Sequence, residues 1–243
     1  MQRSTCSGLL ATSLCVALAA CGGDGGGPLS PGVGDDVGGG TQTLSIDADL
    51  NAEAIVSNST DPSQYTTSFS VRLTKAGAAV TAGTVTITSL GGSVDLVYDP
   101  ARDNGRWVGQ QNGYHEAYQV DVESGTDTID GVVVDGPDLH TITSPTPGAT
   151  VDATMPLVVA WSSDEPADSA TIETKETDPV TIPDSGTYSL PAGALKSKPD
   201  QTETEELELR RFDVVVPAGA VAGSTVRVRI RNRIDLVVMP TGA

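Results

Sequence analysis

"TVRVRIRNRIDLVV", residues 225–238, alternates strictly through its first half. Arg227, Arg229, Arg231 and Arg233 take one set of positions, and Val226, Val228 and Ile230 sit between them. A period of two belongs to a β-strand, whose successive side chains point to opposite faces. The run therefore predicts a strand with four guanidiniums on one face and aliphatic side chains on the other. Glu203, Glu205, Glu206 and Glu208 lie shortly upstream and offer cross-strand partners. The four arginines are a candidate stripe for binding an anion or a partner. The simpler reading is a solvated face neutralised across the sheet.

The same chemistry fills the chain outward from residue 41. Runs rich in Val, Ile, Thr and Tyr alternate with clusters of Gly, Pro, Asn and Asp. They include "YTTSFSVRLT" (65–74), "TVTITSL" (84–90), "VDLVYD" (94–99), "YQVDVES" (118–124) and "DGVVVDG" (130–136). A second series holds "LVVAWSS" (157–163), "SATIETKE" (169–176) and "LELRRFDVVV" (207–216). Strands bounded by turn residues at this spacing predict an all-β fold of sandwich type. No dozen-residue window carries a helical stripe beyond the leader, and "AGALKSK" (192–198) could form one helical turn.

"GPDLHTITSPTPG" (136–148) carries three prolines and marks a boundary. It predicts two β-sandwich domains, at 42–137 and 138–243, each of ordinary domain size. "SPTPGATV" followed by "LVVAWSS", with Trp161 as a core tryptophan, resembles bacterial immunoglobulin-like domains. "VRLTKAGAAVTAGTVTI" followed by "YQVDV" resembles immunoglobulin-like or carboxypeptidase-regulatory-like sandwiches. Two tandem immunoglobulin-like sandwiches are what these resemblances imply. A likeness of fold transfers no function.

The front of the chain reads as a leader. Arg3 precedes a twelve-residue apolar run, Leu9 to Ala20, broken only by Thr12 and Ser13. A membrane span needs about 20 apolar residues, so the run has the length of a signal-peptide core instead. It ends Leu18-Ala19-Ala20-Cys21, which resembles the lipobox of bacterial lipoproteins. That resemblance implies removal of residues 1–20 and acylation of Cys21, which would hold the protein on a membrane. It also implies a cell-envelope location. Gly22, where an Asp would favour inner-membrane retention, points to the outer membrane, on either its periplasmic or its surface side. Cys6 and Cys15 would leave with the leader, so the mature chain would keep no cysteine for a disulfide or a zinc site. Residues 21–41 then read as the lipidated cysteine and a disordered tether. Ten glycines, two prolines and three aspartates between 22 and 40 predict a flexible coil.

Thirty-two acids against fourteen bases give a net charge of −18. That repels phosphate backbones and argues against nucleic-acid binding. It favours a soluble monomer. Trp107 and Tyr114, in the polar and aromatic stretch "RWVGQQNGYHEAY" (106–118), are candidates to stack on a glycan. Their simpler fate is burial, and Tyr118 at the head of "YQVDV" looks like a tyrosine corner. "DADLN" (47–51) begins like a calcium loop, but Ala52 and Asn58 stand where a Gly and a Glu are needed. "DPARDNG" (99–105) reads more simply as a turn. With two histidines and no Gly-x-Ser-x-Gly or Ser-x-x-Lys, no catalytic constellation, metal or cofactor is expected. The function expected is that of a membrane-anchored, non-catalytic module for binding, adhesion or spacing, with a protein or glycan partner. The alternative is a calcium- or carbohydrate-binding accessory module of an envelope enzyme or adhesin.

Overall fold

A computed structural model describes residue 29 and residues 34–241. The leader, the lipobox and Cys21 lie outside the described residues. In chain order the strands are β1 (Gly39–Gly40), β2 (Leu44–Ala54), β3 (Tyr65–Lys75), β4 (Ala78–Ala79), β5 (Thr84–Ser89) and β6 (Gly92–Asp95). β7 (Val97–Asp99), β8 (Arg106–Asn112), β9 (Ala117–Ser124), β10 (Asp127–Asp135), β11 (Thr141–Ser144) and β12 (Thr150–Val151) follow. The last six are β13 (Leu157–Ser162), β14 (Ser169–Thr174), β15 (Thr177–Ile182), β16 (Thr187–Leu190), β17 (Glu203–Val215) and β18 (Thr225–Val238). Among the described residues the one helical element is a 3-10 turn, Pro62–Gln64. "AGALKSK" forms no helix. It lies as a loop that buries Ala194 and Leu195 on the second core.

One long sheet runs the length of the molecule in the order β15-β14-β17-β18-β2-β3-β8-β7. Two smaller sheets cover parts of one of its faces. The sheet β1-β10-β9-β5-β6 closes a first core, and β11-β13-β16 closes a second. β17 and β18 pair antiparallel over thirteen residue pairs, from Glu203↔Val238 to Val215↔Val226. β18 also runs parallel to β2, from Thr225↔Asp47 to Arg231↔Glu53. The two longest strands therefore belong to both cores.

The inward face of β18 records this double duty. Val226, Val228 and Ile230 enter the first core, and Ile234, Leu236 and Val238 enter the second. Asn232 stands between them, fully buried. Its amide nitrogen donates to the carbonyls of Ser59 (3.1 Å) and His140 (2.9 Å) and to the Tyr65 hydroxyl. A buried amide so satisfied is tolerated where an unpaired one would cost about 1–3 kcal/mol. Asn58 closes the junction from the side. Its side chain accepts from Ile142 N (2.8 Å) and donates to Ile142 O (3.0 Å), as a neighbouring strand would.

This arrangement departs from the sequence reading at four places. Val215, Ala220, Val226, Val228 and Ile230 lie beyond residue 137 yet belong to the first core. Residues 106–112 of the polar and aromatic stretch, outside every expected strand run, form β8, paired with β3 from Thr66↔Asn112 to Val71↔Trp107. "VDLVYD" is not one strand. Leu96 is buried, its N–H donates to Val85 O, and the chain crosses there from the small sheet to the long one.

The fourth departure is the end of the glycine-rich tether. Residues 34–40 were expected to be coil, but they lie along β10. Asp36 bridges Val133, Gly39 pairs with Asp130, and Gly40 pairs with Ile129. Glycine permits the contact that its composition seemed to exclude. A Cβ on Gly38 would stand 2.3 Å from Asp130 O, and one on Gly219 would stand 1.7 Å from Gly39 O. Backbone packs on backbone here, with no side chain between.

Candidate functional site

The outer face of the long sheet carries the arginines. β18 lies between β17 and β2, and both neighbours present acids to it. Arg231 contacts Glu53 (3.0 Å), Glu206 (3.6 Å) and Glu208, and Arg233 contacts Glu206 at 3.5 Å. Arg227 (3.3 Å) and Arg229 share one oxygen of Asp49. Arg210 on β17 joins Glu173 (2.9 Å) and Glu208, and Arg106 on β8 meets Asp47 at 3.6 Å. Glu206 and Glu208 are thus partners, as the sequence suggested. Glu203 instead joins Lys198, and Glu205 turns inward and is buried. Burial pushes the carboxyls of Glu205 and Glu208 up, although Arg210 and Arg231 oppose the rise at Glu208. Asp49 and Glu53 come from a strand about 180 residues away in sequence, which no local pattern could reveal.

Such a face is a lattice of mutual neutralisation. Each exposed pair contributes about 0.2–1 kcal/mol, and a connected network orders the side chains further. Phe212 lies under Arg227, with 5.7 Å from the guanidinium carbon to the ring centre. Every arginine of the stripe already holds at least one carboxylate.

Trp107 and Tyr114, the candidates for stacking on a sugar, have no free ring face. Trp107 is 6 % exposed and donates its indole N–H to Val80 O; Tyr114 is 3 % exposed and donates its hydroxyl to Pro137 O. Both pack within the first core, Trp107 against Tyr98 and Tyr114 against Tyr65 and Tyr118. Burial pushes the Tyr114 phenol well up. Tyr118 has the geometry of a tyrosine corner. Its oxygen accepts the backbone N–H of His115, three residues upstream, at 2.9 Å.

Sequence reasoning missed the junction between the cores. A cleft of about 310 Å³ there is lined by Glu116, Asp135, Asp138, Asp164, Glu165 and Asp213. Burial, then the neighbouring carboxylates, push Glu116 up. Burial carries Asp213 to about 6, although the Asp168 N–H donates to it. Beneath this cleft lies Arg211, wholly buried and paired with buried Asp184 at 2.7 Å. The Arg211 guanidinium also donates to Asp138 O (2.7 Å) and Glu165 O. Asp184 accepts from Trp161 Nε1 (2.7 Å) and Ala167 N (2.7 Å). Burial alone would raise Asp184, but Arg211 and these donors outweigh it and hold the carboxyl low. One signal was legible: "RRF" at 210–212 puts adjacent arginines on opposite faces, so one of them must point inward.

His140 is buried beside this network. Its Nε2 donates to Leu209 O at 3.3 Å. Burial, reinforced by Arg211, pushes it down to about 3, so it is neutral at ordinary pH. Among the described residues, no three His, Cys, Asp or Glu side chains gather to hold a metal ion. No family model matches the chain, and no curated protein matches its sequence.

Proposed function

We propose that this chain is a lipid-anchored, non-catalytic module of a bacterial cell envelope, built to hold one end away from the membrane on a stiff body. The observation that carries this reading is the continuity of β17 and β18 through both cores. Two sandwiches of immunoglobulin-like type, joined by shared strands rather than a linker, cannot swing independently. Fourteen residues of β18 alone reach about 46 Å. The committed arginine face supports a structural role for that surface. The lipobox at residues 18–21 supplies the anchor, and Gly22 favours the outer membrane.

Cell fractionation tests the anchor. Cys21→Ala should move the protein from the membrane to the soluble fraction without changing its proteolytic stability. Retention on the membrane by Cys21→Ala overturns the reading. Protease added to intact cells then separates the two sides: digestion means surface display, and protection until lysis means a periplasmic face.

A further inference from the structure

Three uncharged stretches converge at one end of the molecule: residues 37–46, 76–83 and 214–226. Leu44 pairs with Lys75, Thr225 with Asp47, and Gly40 with Ile129. Ala218 N donates to Val37 O, Val221 N to Leu44 O, and Ser124 Oγ to Ala82 O. These contacts bring the turns at 76–83 and 216–224 together with the strand-like segment at 37–43. Val37, Val216 and Val221 are 50 %, 60 % and 41 % exposed there. The nearest opposite charges, Lys75 and Asp127, neutralise one another, and Glu123 and Asp130 stand at the rim. In a chain of net charge −18, such an end is conspicuous.

We infer that this uncharged end is the face that rests on the bilayer, a contact that rests on the proposed acylation of Cys21. Length permits it and charge selects it. The described chain leaves at Gly34, whose N–H donates to Asp135, about 20 Å along β10 from the uncharged end. Thirteen residues from Cys21 to Val33 reach at most about 45 Å, enough to pass that end and meet the membrane. Lying on its side, the molecule would bring the junction carboxylates, Asp135 and Glu116 among them, to an anionic lipid surface. Standing on the uncharged end avoids that repulsion and inserts Val216 and Val221 among the headgroups. A tether of this length keeps the end at roughly millimolar effective concentration, so a weak contact is populated. The second core then projects outward.

Full-length acylated protein, in vesicles of phosphatidylethanolamine and phosphatidylglycerol, gives the test. An environment-sensitive fluorophore is placed on Val221→Cys, Ala79→Cys or, at the far end, Gln201→Cys. The first two probes should brighten several-fold and be quenched by spin-labelled lipid, and the third should stay as in solution. Adding Val216→Asp and Val221→Asp to the Ala79→Cys protein should return its probe to the solution value while flotation with vesicles persists. Flotation with all probes solvent-like overturns the docking face and leaves the anchor standing. A Cys21→Ser chain that still brightens at Val221→Cys sustains the docking face but shows that it does not need the anchor. Probe-bearing protein with Cys21 intact that neither floats nor brightens overturns both.

Discussion

Among the described residues the first core gathers 26 buried apolar residues, five of them aromatic, and the second gathers 15, of which Trp161 alone is aromatic. Tyr65, Phe69, Tyr114 and Tyr118 tile the first core at ring separations near 6 Å. The second has no such cluster. Its loops are tied instead by Arg211 and Asp184, which gather the backbone at residues 138, 165 and 167 and the indole of Trp161. A large core can rely on apolar area. The small one here relies on strands it shares with its neighbour and on a buried polar knot.

The largest effect should come from cutting the molecule where the prolines suggest. A fragment of residues 42–137 loses Val226, Val228 and Ile230 and leaves β2 without its partner β18. It should fail to show cooperative unfolding in urea. A cooperatively folded fragment would break the picture of shared strands. In the whole chain, Trp107 and Trp161 each report on one core. Trp161→Phe and Trp107→Phe proteins should give equal midpoints once each is corrected for its own stability change. Separate transitions for the two reporters would mean independent cores.

Arg211→Leu comes next. It strands Asp184 as a buried, unpaired carboxylate, which should cost about 3–5 kcal/mol. Arg211→Leu with Asp184→Leu should recover much of that loss. The same treatment of the outer face, Arg233→Leu, should cost about 1 kcal/mol or less, because its partner Glu206 stays partly solvated. Equal losses in urea titrations would erase the distinction between knot and lattice.

The subtlest effect is a compensation in pH. Asp213 rises in the folded state to about 6 from 3.8, so its stabilising contribution is present at low pH and lost as pH rises through 6. His140 falls to about 3 from 6.5, so its contribution is present above 6.5 and lost as pH falls toward 3. The two slopes oppose one another between about pH 4 and 6. Asp213→Asn keeps the oxygen that accepts from Asp168 N and removes one slope. It should stabilise the protein at pH 7 and make stability fall on acidification below pH 6.5. His140→Gln should do the reverse on acidification, with stability rising from pH 6 to 4. Thermal melts across this range decide it.

Individual strands were legible, because alternation is a local property. β18 is found where "TVRVRIRNRIDLVV" placed it, and β3, β5, β9 and β14 agree closely with their runs. Asp49 as a partner for Arg227 was not legible, since parallel register between distant segments leaves no local trace. β8 was hidden by Gly109, Gln110 and Gln111, which carry no β signal yet pair with β3. Gly109 lies against Leu96, where a Cβ would stand 2.6 Å from its methyl group, so packing chose the glycine. Residues 34–40 misled for a related reason: composition measures the lack of side chains, and close backbone packing requires that same lack. The site suffered most. Tyr114 and Trp107 had the chemistry of a sugar platform, but only the fold reveals that both rings face inward.

The strap at residues 34–40 has a mechanical consequence. It lies antiparallel to β10, and its N-terminal residue is Gly34, beside Asp135. A pull applied through the N-terminal segment loads its hydrogen bonds one after another, as in unzipping, whereas β2 is locked between β18 and β3 and would have to shear many at once. The strap therefore yields first. Seven freed residues lengthen the leash by about 23 Å while both cores remain intact, which makes the glycine strand a shock absorber in series with the proposed anchor.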